Sequence, residues 1–172
     1  MLMLGFALTG CGLRPEKLFA TYAKIDVREI ARSQTCNTPG EEPAARILPD
    51  LKAVQDWQHA RGVTFPGAPT LAPAPYALVE TGQRPTGGYG LAVARSAVLR
   101  GELVILSATF LSPSAEAPRT QALTSPCVLV QLPPGRYTSI EVQDPAEVVR
   151  ASGGIGDAAA PPSPAPTEAP LL

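Results

Sequence analysis

The chain has 172 residues and a formal net charge of −1, and this length is enough for one domain with a buried core. The absence of a basic stripe or an arginine cluster argues against a nucleic-acid partner, and no apolar run reaches the roughly 18 residues of a membrane-spanning helix. The 20 prolines and 15 glycines favour a β-rich domain with long loops and a disordered segment.

The N-terminal segment is apolar and ends in Leu8-Thr9-Gly10-Cys11. This run resembles a bacterial lipobox, in which the cysteine is lipidated and becomes the first mature residue. The resemblance implies a lipoprotein signal over 1–10, a tether over 11–24 and a membrane anchor at Cys11. Gly12, the residue after the cysteine, implies sorting to the outer membrane, where the protein would face the periplasm or the surface. No Lys or Arg precedes Cys11, although signals normally open with positive charge. A start site further upstream would account for the missing charge. The alternatives to a signal are a hydrophobic first strand and an ordinary cytosolic N-terminus.

The other two cysteines also point to export. If Cys11 carries lipid, Cys36 and Cys127 remain as an even pair, for which an oxidising compartment favours a disulfide. Such a bridge would close a loop of about 90 residues and stabilise the fold by about 2–4 kcal/mol. The alternative is two buried free thiols, as expected of a cytosolic protein.

One helix is predicted over residues 50–61. Asp50 stands at the N-cap position, Gly62 follows the last turn, and an apolar stripe lies between them at helical spacing. Leu51, Val54 and Trp57 form that stripe and are expected to face a sheet. His59, the only histidine, lies off the stripe without a partner at metal-ligand spacing, which predicts a surface residue.

After a proline-rich connector over 62–75, short apolar runs predict about five strands in succession, with a tight reversal at Arg100-Gly101 between two of them. We expect a β-rich α+β fold, with an antiparallel meander covered on one face by the helix. The domain is placed at 25–150 and its core at 76–143. Residues 151–172 are rich in proline and alanine and poor in large apolar side chains, which predicts a disordered tail.

The most distinctive stretch runs from Gly82 to Gly90, between two of the predicted strands. It predicts a hairpin connection, because Pro85 restricts its own φ and that of its predecessor, while Gly87 and Gly88 allow positive φ or close approach. Arg84 and Tyr89 flank the turn with a donor fork and an aromatic ring. A purely structural turn and a ligand-facing loop both fit this pattern.

The chain resembles the PrcB C-terminal domain family over roughly Leu78–Val142. The residues that carry the resemblance form two groups: Gly82, Arg84, Pro85, Thr86, Gly87, Gly88 and Tyr89, and then Gln121, Thr124 and Pro126. Members of this family are typically exported bacterial proteins, often lipoproteins, and the family is named after a non-catalytic subunit of a secreted protease complex. The resemblance implies a protein partner, such as a secreted protease, with Arg84–Tyr89 as the binding loop.

Two other function classes are alternatives to this binding role. Pro85-Thr86-Gly87-Gly88-Tyr89 is similar to the Pro-Thr-Thr-Gly-Tyr loop of chagasin-type cysteine-protease inhibitors, with Gly87 in place of the second threonine. A structural role in envelope assembly is the other alternative. The serines lack a nucleophile-elbow motif, and a single off-stripe histidine offers no triad. We therefore expect no enzyme activity, no cofactor, no metal and no small-molecule substrate.

Overall fold

A computed structural model describes residues 22–66, 71–114 and 120–156. Three of the predicted features lie wholly or largely outside these residues. They are the signal segment 1–10, the lipidation site Cys11, and the tether up to residue 21.

The described chain contains nine strands and one helix. In chain order they are β1 (Tyr22–Asp26), β2 (Arg28–Ser33), β3 (Ala44–Leu48), α1 (Leu51–Arg61), β4 (Tyr76–Glu80), β5 (Gly90–Arg100), β6 (Leu103–Leu111), β7 (Cys127–Gln131), β8 (Ser139–Gln143) and β9 (Val149–Gly154). They form a five-stranded sheet, in the order β1-β5-β6-β8-β9, and a four-stranded sheet, in the order β2-β7-β4-β3. The predicted β-rich class with one helix is confirmed.

The prediction of a single antiparallel meander is wrong. β4 and β5 belong to different sheets, so residues 82–90 connect two sheets rather than the arms of a hairpin. β6 and β8 are neighbours in a parallel arrangement, which a meander does not contain. The tight reversal between β5 and β6 was predicted correctly, and Gly101 occupies the left-handed region there with φ of 64°.

The four-stranded sheet is buried on both faces because its strands are apolar at successive positions. Ala77 and Val79 of β4 point into the core between the sheets, while Tyr76 and Leu78 point into a second cluster beneath α1. β7 alternates in the same way between the two clusters. The result is three layers, with the four-stranded sheet in the middle.

Helix α1 forms as predicted. The Asp50 carboxylate accepts the N–H of Ala53 at 2.8 Å, and Gly62 ends the helix with φ of 62°. Val54 and Trp57 are buried, Leu51 is half-buried, and His59 is exposed. The Trp57 ring also stacks on Phe65, with 5.6 Å between ring centroids. The helix is therefore fastened to the sheet by its predicted stripe and by an aromatic residue beyond its end.

The predicted boundaries of the domain are too narrow at both ends. β1 includes residues 22–24 of the predicted tether, and β9 continues to Gly154, inside the tail predicted to be disordered from residue 151. The core predicted over 76–143 is also too narrow, because the observed core includes Ala151 and residues that precede 76. The small residues of β9 are ordered because this strand pairs with β8 and packs closely on β3. Residues 157–172 lie outside the described part of the chain.

The predicted bridge between Cys36 and Cys127 is present, with 6.0 Å between the two Cα atoms. Both cysteines are buried in the cluster beneath α1. The bridge ties the segment after β2 to the first residue of β7, and the N–H of Cys36 donates to the carbonyl of Ser125 at 2.9 Å. It therefore closes a loop that contains α1 and β3 to β6.

A carboxylate is fully buried beside this bridge. Glu80, the last residue of β4, has no exposed surface. It accepts a hydrogen bond from Arg46 at 2.8 Å and another from the Thr38 hydroxyl at 2.9 Å. The guanidinium of Arg61 lies 3.9 Å from the same carboxylate. None of these residues stands out in the sequence, because their pairing depends on which strands become neighbours.

Candidate binding site

The connection between β4 and β5 is held in place by the segment that precedes β7. Arg84 and Thr124 exchange backbone hydrogen bonds of 2.7 and 2.9 Å, and the N–H of Gly87 donates to Thr120 at 3.1 Å. The Thr124 hydroxyl donates to the carbonyl of Thr86 at 2.9 Å. The two groups of residues that carry the family resemblance therefore meet through their backbones, although they are distant in sequence.

Two glycines permit this close packing. Gly82 has φ of 81°, and a Cβ there would collide with the backbone oxygen of Glu41. Gly88 has φ of 91°, and a Cβ there would lie 2.7 Å from Pro113. Both positions therefore require glycine for conformation and for space. The glycines of the loop therefore have the purely structural role that was one of the two interpretations of the sequence. This role does not involve the outward-facing side chains, which are free for another.

Arg84 and Tyr89 are brought together as a pair. The guanidinium of Arg84 lies over the Tyr89 ring, 5.7 Å from the ring centroid, and donates a hydrogen bond to the carbonyl of Thr81. A cation held over an aromatic ring gains about 0.5–1 kcal/mol at an exposed site. The contact also orients the donor fork, whose remaining N–H groups are available to a ligand.

A second arginine–aromatic pair lies across the same cleft. Arg150 of β9 stands over the Phe110 ring of β6 at 5.7 Å. The cleft has a volume of about 410 Å³, and Arg84, Tyr89, Phe110 and Arg150 all line it. The sequence does not indicate this second pair, since Arg150 lies next to a segment predicted to be disordered and no local motif marks Phe110.

Asp144 shapes the far wall of the cleft. Its carboxylate accepts the backbone N–H groups of Ala146 and Val148 at 2.9 and 3.1 Å, and lies 3.4 Å from Arg150. These bonds order the turn between β8 and β9 and hold Arg150 over the cleft. Two guanidinium groups and one carboxylate line the cleft, so the lining carries a net positive charge. Guanidinium forks favour carboxylate groups of a ligand.

The other predicted positions are placed as follows. Pro85 and Gly88 are exposed, and Thr86 and Gly87 are half-buried. The hydroxyl oxygen of Thr86 is buried and has no hydrogen-bond partner among the residues that the structure describes. Within the described ranges, no three His, Cys, Asp or Glu side chains come close enough to form a metal site. No helix in this part of the protein is long and apolar enough to cross a membrane.

Comparison with known proteins places this loop inside a family. Residues 76–133 match the family model described as PrcB C-terminal. The match begins two residues before the predicted Leu78 and ends before β8, short of the predicted Val142. The comparisons with curated proteins and with solved structures found no match. The matched segment contains β4, the Arg84–Tyr89 loop, β5, β6 and β7, and the match supports the assignment of this segment to the PrcB C-terminal family.

Proposed function

We propose that this protein is a non-catalytic binding module of the bacterial envelope whose partner is a subunit of a secreted protease. The observation that carries the proposal is the cleft, where Arg84 and Arg150 are each held over an aromatic ring. Tyrosine and arginine are enriched among the residues that dominate binding energy at protein interfaces. The protease context comes from the resemblance to the PrcB C-terminal family, which is named after a subunit of a secreted protease complex.

The cleft fits an acidic segment of a protein better than it fits a small substrate. It is open to solvent, its lining is largely polar, and two guanidinium groups face one carboxylate. Charge complementarity of this kind steers association and sets specificity. The ordered loop would also bind with little loss of conformational freedom, because its backbone is already fixed by Thr120 and Thr124.

Replacing both Arg84 and Tyr89 with alanine is expected to weaken partner binding by roughly 30-fold or more, since residues that dominate an interface contribute about 2 kcal/mol or more. The tagged protein is incubated with envelope extract, captured proteins are identified by mass spectrometry, and affinity for the purified partner is then measured by calorimetry. Arg150→Ala should weaken binding in the same direction without altering the loop.

Arg136→Ala is the matched control, because that arginine has a 92% exposed side chain and lies away from the cleft. Unchanged binding by the Arg84 and Tyr89 variant, with an unchanged melting temperature, would show that the loop is not the contact. Titration against papain-like and subtilisin-like proteases separates this proposal from direct inhibition. Inhibition by the wild-type protein that is lost in the loop variant would favour the inhibitor.

The proposed localisation rests on the N-terminal segment and on the disulfide. A bridge between Cys36 and Cys127 fits an oxidising compartment, and the lipobox-like sequence supplies an anchor at Cys11. One acyl chain binds a membrane only marginally, whereas two or more hold stably. We therefore propose an outer-membrane lipoprotein that reaches its partner through the segment after Cys11.

The intact mass of protein expressed in a bacterial host is expected to show an N-terminus at Cys11 that carries acyl groups. Alkylation of Cys36 and Cys127 should require prior reduction. Cys11→Ser should abolish the added mass and release the protein from the membrane fraction. An unprocessed chain with thiols that are alkylated without reduction would contradict both the anchor and the export.

A further inference from the structure

Strand β5 is paired along only part of one edge. β6 pairs with both ends of β5, whereas β1, on the other side, pairs only with Ser96–Arg100. After Asp26 the chain leaves this sheet, and Val27 donates its N–H to the carbonyl of Arg95 at 2.9 Å before β2 begins in the other sheet. Among the described residues, no strand pairs with this edge of Gly90–Ala94, which we call the free edge.

The free edge lacks charged side chains, one of the usual protections against strand addition, and the register of β5 against β6 becomes irregular only after Val93. Exposed edges are commonly blocked by charged side chains and by bulges. β2, the neighbouring edge strand of the other sheet, has both features, since it carries Arg28, Glu29 and Arg32 and shifts register between Glu29 and Ala31. The residues of the free edge are uncharged, and Ala92 and Ala94 are small and exposed.

A groove of about 760 Å³ lies between the free edge and the β1–β2 corner. Three arginines and two acids line it. Arg32 and Glu29 neutralise each other through hydrogen bonds of 2.6 and 2.7 Å. This leaves Arg28 and Arg95 facing Asp26, so the groove carries a net positive charge and complements an acidic ligand.

We propose that an extended segment of a partner protein, with acidic side chains, adds to the free edge as a further strand. Backbone hydrogen bonds to the outward N–H and C=O groups of Gly90–Ala94 would supply affinity, and alternate side chains would enter the groove. Arg95 and Arg28 select for glutamate or aspartate at those positions. This surface does not depend on the Arg84–Tyr89 loop, so either one can fail without the other.

The test uses the full chain and synthetic peptides of about seven residues, a typical strand length. In one peptide valine alternates with glutamate, and in the matched control valine alternates with lysine. Two further versions of the first peptide carry N-methyl groups on either the odd or the even amides. Affinity is measured by calorimetry, and backbone amide exchange is measured by NMR.

The glutamate peptide is expected to bind and to slow the exchange of outward amides within Gly90–Ala94. One N-methylated version should lose binding and the other should keep it, because only alternate amides face the edge. Arg95→Ala should weaken binding about tenfold, while Arg136→Ala should leave it unchanged.

Four results would overturn the proposal. The first is glutamate-peptide binding weaker than about 1 mM, and the second is equal binding by the lysine peptide. The third is protection of the outward amides in the free protein, which would mean that another part of this chain covers the edge. The fourth is protection that grows with protein concentration alone, which would assign the edge to a second copy.

Discussion

Replacing Glu80 with glutamine is expected to lower the free energy of unfolding by about 3–5 kcal/mol, the usual effect of removing one partner of a buried ion pair. Glu80 is fully buried, and Arg46, its partner at 2.8 Å, is 4% exposed. Glutamine keeps the size of the side chain but removes its charge, so the Arg46 guanidinium would remain charged in the interior without compensation. Chemical denaturation with urea measures the change.

Glu141→Gln is the matched control for that experiment. Its carboxylate lies 4.0 Å from Arg100 at the protein surface, where an ion pair contributes at most about 1 kcal/mol. The double variant Arg46→Met with Glu80→Leu distinguishes the cost of leaving Arg46 unpaired from the net contribution of the ion pair to stability. Apolar residues of similar volume often replace a buried ion pair without loss of stability, so the double variant should be more stable than Glu80→Gln. A loss below about 1 kcal/mol in Glu80→Gln would show that water reaches the Arg46 guanidinium.

Removing the disulfide is expected to have an effect of similar size. Cys36→Ser with Cys127→Ser should lower the free energy of unfolding by about 2–5 kcal/mol, because the bridge restricts the unfolded chain across a separation of 91 residues. The new hydroxyl groups would also be buried in an apolar cluster. Urea denaturation of the wild-type protein with and without a reducing agent gives an independent measurement.

Cys11→Ser serves as the control for this pair, since it removes a cysteine that is not part of the bridge. It should leave the stability of the folded domain unchanged. If the reduced and oxidised wild-type proteins unfold at the same urea concentration, the bridge does not contribute as stated. The backbone hydrogen bonds of Ser125 with Cys36 and with Gln34 would then hold this region by themselves.

Local features of the chain were predicted well from sequence. The cap at Asp50, the stripe of Val54 and Trp57, and the glycine after the last turn all act within a few residues, and they define α1 wherever it packs. The positions of β4 to β8 also follow from local apolar runs, whereas β1, β2, β3 and β9 were not among the predicted strands. The same holds for the tight turn at Gly101, where the required φ is a property of one residue.

The partners of those strands depend on the whole fold. The loop at Gly82–Gly90 has the composition of a hairpin, yet β4 and β5 pair with other strands because both faces of β4 are apolar and need two covering layers. β9 is poor in large side chains, and it becomes ordered only through pairing with β8 and contact with β3. Local composition does not predict either the pairing of β4 and β5 or the ordering of β9.

The same division holds for the candidate sites. Arg84 and Tyr89 were found in the sequence because they flank a distinctive turn, and the cysteine pair was found because it is the even remainder once Cys11 is assigned. Arg150, Glu80 and the free edge at Gly90–Ala94 came only from the tertiary structure. Each of them depends on a neighbour that is distant in the chain, and such neighbours are decided by the packing of the two sheets rather than by local preference.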